Sequence, residues 1–331
     1  MVLKKNIKLL VFIAIICSFQ PLIAQSSIVI KYNTSNSKIP SNVIKTILLD
    51  KKGKVWLGSR DAGLILFENN SFSVFDTNNS SIPNNNVYTL AKDSINNLWI
   101  GTFGGGVAKF SKKKESWTIY NSFNSSLKYN WIYSIAIDEQ NNKWIGTGGS
   151  GLFKYNDTIW VNFNELNSKI PTYKVPTVFI DKKNTKWIGT LRGLLNYDDK
   201  EWKWFNNDTN VLEVSIYSIL VQQSTIWIGF KKRGLGKLEK KKYSYYSVEN
   251  SDLPSNSVYS LTEDNIGNVW IGTFGKGIVK VKGDEFIIYN KSNSEITDDF
   301  IFDIKIDSNN NKYLGTYQSG LIVFNESGIV E

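Results

Sequence analysis

Hydrophobic positions along this chain come in short runs separated by Asn, Ser, Asp, Gly and Lys, with no helical spacing between them. Around residue 100 the order is VYTLAKD (87 to 93), LWIGT (98 to 102), GVAKF (106 to 110) and WTIY (117 to 120). Each run has the length of a strand and each gap carries turn residues, so four short strands are expected here.

The same order recurs along the chain. LWIGTFGGG (98 to 106), KWIGTGGSG (143 to 151), KWIGTLRG (186 to 193), IWIGFKKRG (226 to 234) and VWIGTFGKG (269 to 277) are one motif, and VWLGSRDAG (55 to 63) and KYLGTYQSG (312 to 320) complete it. Its aromatic position falls at Trp56, Trp99, Trp144, Trp187, Trp227, Trp270 and Tyr313, with spacings of 43, 45, 43, 40, 43 and 43. Four strands at that period predict an all-β fold, a seven-bladed β-propeller of four-stranded antiparallel blades.

The two ends of the chain fit together. The last unit stops after its third strand, LIVF (321 to 324), while Val29-Ile30-Lys31-Tyr32-Asn33 matches the fourth-strand pattern Phe286-Ile287-Ile288-Tyr289-Asn290. The strand at about 28 to 33 is therefore expected to complete the last blade and close the ring, which removes an open edge.

Several repeated residues read as structural. Gly58 and its equivalents stand two residues after the aromatic, where a missing side chain permits close approach between blades. Gly63 and its equivalents end the second hairpin, where positive φ is expected. The Trp itself is expected to pack between blades. Asp50, Asp93, Asp138, Asp181, Asp264 and Asp307 open the first hairpin, where a carboxylate bonds nearby amides.

The pattern Asp-x4-(L/V)-W-I-G-T-x-G-G-G, as in Asp93 to Gly106 and Asp264 to Gly277, resembles the two-component regulator propeller repeat. That repeat occurs in tandem in periplasmic sensor regions of bacterial hybrid histidine kinases and in related exported proteins. The resemblance spans essentially the whole chain after its first residues and implies a sensor-like, ligand-binding propeller. This chain departs from the kinase arrangement in having a single propeller without a kinase or receiver region, so transmembrane signalling by this chain alone is not expected.

Residues 1–24 read as a secretory signal. Lys4, Lys5 and Lys8 precede an apolar run from Leu9 to Phe19, and Pro21-Leu22-Ile23-Ala24 ends in a small residue. The run of 11 residues is short of the roughly 18 that a membrane span needs. Cleavage after Ala24 would leave one propeller domain, 25–331, exported to the periplasm or cell surface with no transmembrane segment. Lipidation at Cys17 is the lesser alternative, because Ile16 precedes it.

Composition narrows the chemistry. The sequence contains no His, and its one Cys is Cys17, so Ser-His-Asp and Cys-His nucleophile pairs and His-ligated zinc are excluded. Without His, stability and binding should be nearly flat between pH 6 and 8. Removing the signal takes the net charge from +9 to +6 by loss of three Lys. That bias accompanies Lys and Asn throughout and carries no nucleic-acid motif, so no nucleic-acid partner is expected. Asp307-x-Asn309-x-Asn311 has calcium-loop spacing, but Lys312 stands where that loop requires Gly; neither metal nor cofactor is assigned.

Candidate binding residues lie at loop tips that differ between repeats. All three Arg residues, Arg60, Arg192 and Arg233, fall in the second-hairpin tips, beside Asp61, Phe103, Lys232, Phe274, Lys276 and Tyr317. Trp131 and Phe300 stand in neighbouring loops where other units have Val43, Asn86, Lys174, Ser215 and Ser257. Guanidinium groups suit carboxylate or sulfate and aromatic faces suit sugar rings, so an oligosaccharide, particularly an anionic glycan, is the expected ligand. An envelope protein partner, with the disc face acting as a scaffold, is a second possibility. A propeller lyase or glycosidase is a third. Known lyases of this shape use a His that this chain lacks, and a glycosidase would have to draw on Asp61, Glu213, Asp298 and Asp299, with Asp61 and Asp299 as the pair expected to be neighbours.

Overall fold

A computed structural model describes residues 28–50, 53–205, 215–240, 242–283 and 285–329. Residues 1–24, expected to be a signal, and with them Cys17, lie outside the described residues, as does Glu213. Seven four-stranded antiparallel sheets form the molecule, with no helix among the described residues. Six sheets take their strands in chain order. Blade two, for example, comprises Val87–Lys92, Leu98–Thr102, Val107–Ser111 and Ser116–Tyr120. The seventh is closed by the N-terminal strand: Val29–Tyr32 pairs antiparallel with Leu321–Phe324, Val29 opposite Phe324 and Tyr32 opposite Leu321.

The second strand of a blade is buried at every position in five blades because neighbouring blades cover both of its faces. That is why these runs are continuously hydrophobic. Gly101 illustrates the closeness: an added Cβ would lie 2.7 Å from Ile132 Cγ2 of the next blade. The hairpin-ending glycines all have positive φ, Gly106 at 84°, and a Cβ there would lie 2.3 Å from the Tyr120 carbonyl oxygen.

The repeated Trp residues sit at the blade interfaces. Trp99 is fully buried, stacks on Tyr120 at 5.8 Å, and has the Lys143 ammonium of blade three 4.8 Å above its ring. Lys143 is itself buried and pairs with Asp157 at 2.5 Å. Lys186 on Trp144 and Lys312 on Trp270 repeat the arrangement, with Asp199 and Glu326 as their acids. Part of the Lys-rich composition is therefore internal architecture, in which a desolvated ammonium is held by a carboxylate and an indole face.

Candidate ligand-binding face and central cavity

Two kinds of loop, those joining the second and third strands and those entering the next blade, meet on one face of the disc. They are tied together by backbone bonds: Gly104 and Gly106 N–H groups both donate to Asn130 O, and Gly275 and Gly277 to Asp299 O. The side chains of Asn42, Asn85, Asn130, Asn256 and Asp299 accept from amides eight residues earlier in sequence, closing their loops. Asp299 thus does what Asn does elsewhere.

The aromatic candidates gather into two groups. Phe103 and Trp131 form an antiparallel bridge and stack at 4.4 Å, while Phe274 and Phe300 form an equivalent bridge with rings edge-on at 4.6 Å. Tyr317 lies 6.0 Å from Phe300. Trp131 is 41% and Phe274 40% exposed, so apolar ring faces remain open to solvent.

The arginines do not converge. Arg192 donates to Pro171 O at 3.2 Å, and Arg233 lies 5.1 Å over the Tyr245 ring on the outermost strand of its blade. Arg60 and Asp61 are exposed on blade one, as are Lys232 on blade five and Lys276 on blade six. Asp61 and Asp299 are not brought together: the Asp61 tip is held by Asn85 ahead of blade two, whereas Asp299 caps the tip of blade six. Asp298 is buried and committed to the Phe300 and Gln318 amides. The anticipated carboxylate pair is absent among the described residues, because each of these acids closes a loop or stands alone. The Asp307 turn is likewise structural, its carboxylate accepting from the Asn309 and Asn311 amides.

Inside this face lies a feature that sequence reasoning missed, a central cavity of about 640 Å³ on the propeller axis. Its collar consists of Lys45, Tyr88, Tyr133, Pro176, Tyr217, Tyr259 and Phe302, one residue from each blade. Six of them occupy a β-bulge near the start of the innermost strand, as where the register shifts between Val87 and Thr89. The unpaired residue of a bulge is re-aimed, here into the cavity. Tyr88 and Tyr133 rings lie 5.3 Å apart, and Tyr217 and Tyr259 5.0 Å apart, edge to face.

Below the collar a ring of small polar side chains latches blade to blade. The Ile135 amide donates to Thr89 Oγ1 at 3.3 Å, Val178 to Ser134 Oγ at 3.0 Å, and Ile304 to Ser260 Oγ at 3.1 Å. At the closing interface a carboxylate takes this role, Ile47 donating to Asp303 Oδ2 at 2.9 Å. Asp303 also accepts from Ser260 Oγ and pairs with Lys305 at 2.8 Å.

The electrostatics of the collar follow from burial. The Tyr88, Tyr133, Tyr217 and Tyr259 phenols are pushed up by desolvation and stay neutral. Lys45, whose ammonium lies 3.5 Å from the Phe302 ring centroid, is brought down to about 8 by burial and by the nearby Arg60 charge. The absence of His therefore does not keep the upper edge of the pH 6 to 8 window free of titration. The available sequence signal was VYT, IYS, IYS, VYS and IFD at strand starts; the bulge that turns the aromatic inward was not visible there.

The Two component regulator propeller family profile matches residues 38–61, 81–104 and 252–275, covering the first hairpin region of blades one, two and six. These are two component regulator propeller repeats. Among solved structures, the extracellular domain of a proposed one component system, BT4673 of B. thetaiotaomicron, is 19% identical over 91% of this chain and 40% of its own, with a TM-score of 0.74. The extracellular domain of a proposed hybrid two component system from the same organism, BT3049, is 21% identical over 90% and 42%, with a TM-score of 0.75. This propeller thus spans about two fifths of the length of those extracellular domains. Virginiamycin B lyase from Staphylococcus aureus is 13% identical over 89% of this chain and 98% of its own, with a TM-score of 0.70. At these identities the likeness is one of fold. No match was found among curated protein sequences. No helix among the described residues is long and apolar enough to cross a membrane.

Proposed function

We propose that this two component regulator propeller is an exported, non-catalytic recognition module that binds its ligand or partner through the loop-rich face. The observation that carries the reading is the pairing of Phe103 with Trp131 and of Phe274 with Phe300, with Trp131 and Phe300 at a loop position where other blades have Val43, Asn86, Lys174, Ser215 and Ser257. Exposed ring faces beside cationic loops suit sugar rings carrying carboxylate or sulfate groups. Export rests on the signal anatomy of residues 1–24. A non-catalytic role is supported by the lack of His and by the separation of Asp61 from Asp299.

The test is a glycan-array screen of the purified protein beside a Trp131→Ala/Phe274→Ala variant and an Arg60→Ala/Arg192→Ala/Arg233→Ala variant, each of confirmed fold. Binding to acidic glycans that is lost in the aromatic variant is expected. Array silence of the wild-type protein would overturn the glycan reading and leave an envelope protein as the partner to seek.

A further inference from the structure

The axial cavity differs from the loop tips in being partly enclosed, and at about 640 Å³ it has the size of a small-molecule site. Its collar is not a requirement of the fold, since Lys45 and Pro176 occupy the position that Tyr88, Tyr133, Tyr217 and Tyr259 fill in other blades. Among the described residues, none of these four phenol hydroxyls has a hydrogen-bond partner in the protein. Tyr88, Tyr133 and Tyr259 all lie within electrostatic reach of Tyr217, so the phenols converge. Four converging hydroxyls without protein partners offer donors and acceptors to whatever enters.

The charge lining the cavity is one-sided. Among the described residues its only carboxylate, Asp303, is consumed by the Ile47 amide, Ser260 and Lys305. Lys45, Lys174 and Lys231 have no acidic partner among the described residues, and Lys231 stands over the Tyr217 ring at 5.6 Å. Unopposed cations in a partly enclosed cavity concentrate anions there.

We propose that the axial cavity binds a small organic carboxylate, with its anionic group on Lys45 and its body against the tyrosine collar. This rests on the reading of the chain as a recognition propeller and adds an axial small-ligand site to its loop-rich face. The carboxylate can belong to a hydroxylated body, which would use the phenol hydroxyls, or to a flat aromatic body, which would use the ring faces.

Calorimetric titration at pH 7 with D-glucuronate and with 4-hydroxybenzoate, against D-glucose and phenol as neutral counterparts, separates these sources. At least one acid is expected to bind about tenfold or more tightly than its neutral counterpart, the size of one charge-assisted hydrogen bond. Lys45→Met is expected to remove that preference. Tyr217→Phe, which deletes one oxygen and leaves the packing, is expected to weaken the glucuronate complex, and Tyr217→Ala the hydroxybenzoate complex. Failure of both acids to bind more tightly than their neutral counterparts overturns the proposal. So does acid binding that survives Lys45→Met and Tyr217→Phe but is lost in the triple Arg variant; that result would leave the loop-face reading standing.

Discussion

The carboxylate of Asp93 accepts the indole N–H of Trp99 at 3.0 Å, six residues further along the chain and across a hairpin. The same carboxylate accepts from the Ile95 and Asn97 amides and from Asn97 Nδ2. Asp138 with Trp144, Asp181 with Trp187 and Asp264 with Trp270 repeat the bond at 2.9, 2.9 and 3.0 Å. One side chain thus fixes a turn and orients the ring that packs against the next blade.

Asp93→Ala should lower unfolding stability by about 2 to 4 kcal/mol, because it leaves buried donors without an acceptor. Asp61→Ala, exposed at a loop tip, should stay within about 0.5 kcal/mol. Urea unfolding of both variants checks the contrast, and equal effects would remove the proposed role of the turn carboxylate.

Two glycines separate backbone strain from crowding. Gly53 has φ of 74° and open space around an added Cβ, whereas Gly106 has φ of 84° and the Tyr120 carbonyl oxygen 2.3 Å away. Gly53→Ala should cost about 1 kcal/mol, the left-handed penalty alone. Gly106→Ala should cost roughly 2 kcal/mol more, since a backbone carbonyl must also move. Thermal unfolding midpoints in that order are expected.

Ring closure depends on a strand far from its partner in sequence. Removing residues up to Asn33 exposes the Leu321–Phe324 edge and takes away the Val29 and Tyr32 contacts with the closing blades. The truncated protein should lose more than about 3 kcal/mol, two large side chains' worth of burial, and should self-associate through the open edge. Chromatography with light scattering beside urea unfolding tests this, and a monomer of unchanged stability would contradict it.

Lys45 should give the protein a measurable alkaline response. Its neighbours are the Phe302 ring and Arg60, with the Asp303–Lys305 pair also lining the cavity. The folded state titrates at about 8 and the unfolded chain near 10.5, so between these values the unfolded state binds more protons. Stability therefore rises with pH across that window and is lost as pH falls back to about 8. Relative to Lys45→Met, the wild-type protein should gain stability from pH 8 to 10.5, while carboxylate binding should weaken as the ammonium is lost. A flat difference across the window would show that Lys45 is not desolvated.

The repeat was legible in the sequence because blade packing demands the same chemistry seven times. Trp at the interface, Gly beside it, Asp at the turn and Gly at the next turn are local requirements, so they recur at fixed spacing and define strand number, blade count and closure by Val29–Tyr32. The loop aromatics Trp131 and Phe300 stood out for the opposite reason, as departures from the repeat. What surrounds the axis was decided only in three dimensions. A bulge rotates Tyr88, Tyr133, Tyr217 and Tyr259 inward, and the circular arrangement brings residues some 40 positions apart into one collar. The destination of each Arg was equally tertiary: Arg233 turns to Tyr245 and Arg192 to Pro171, because a long side chain at a loop tip settles on the surface its neighbours present.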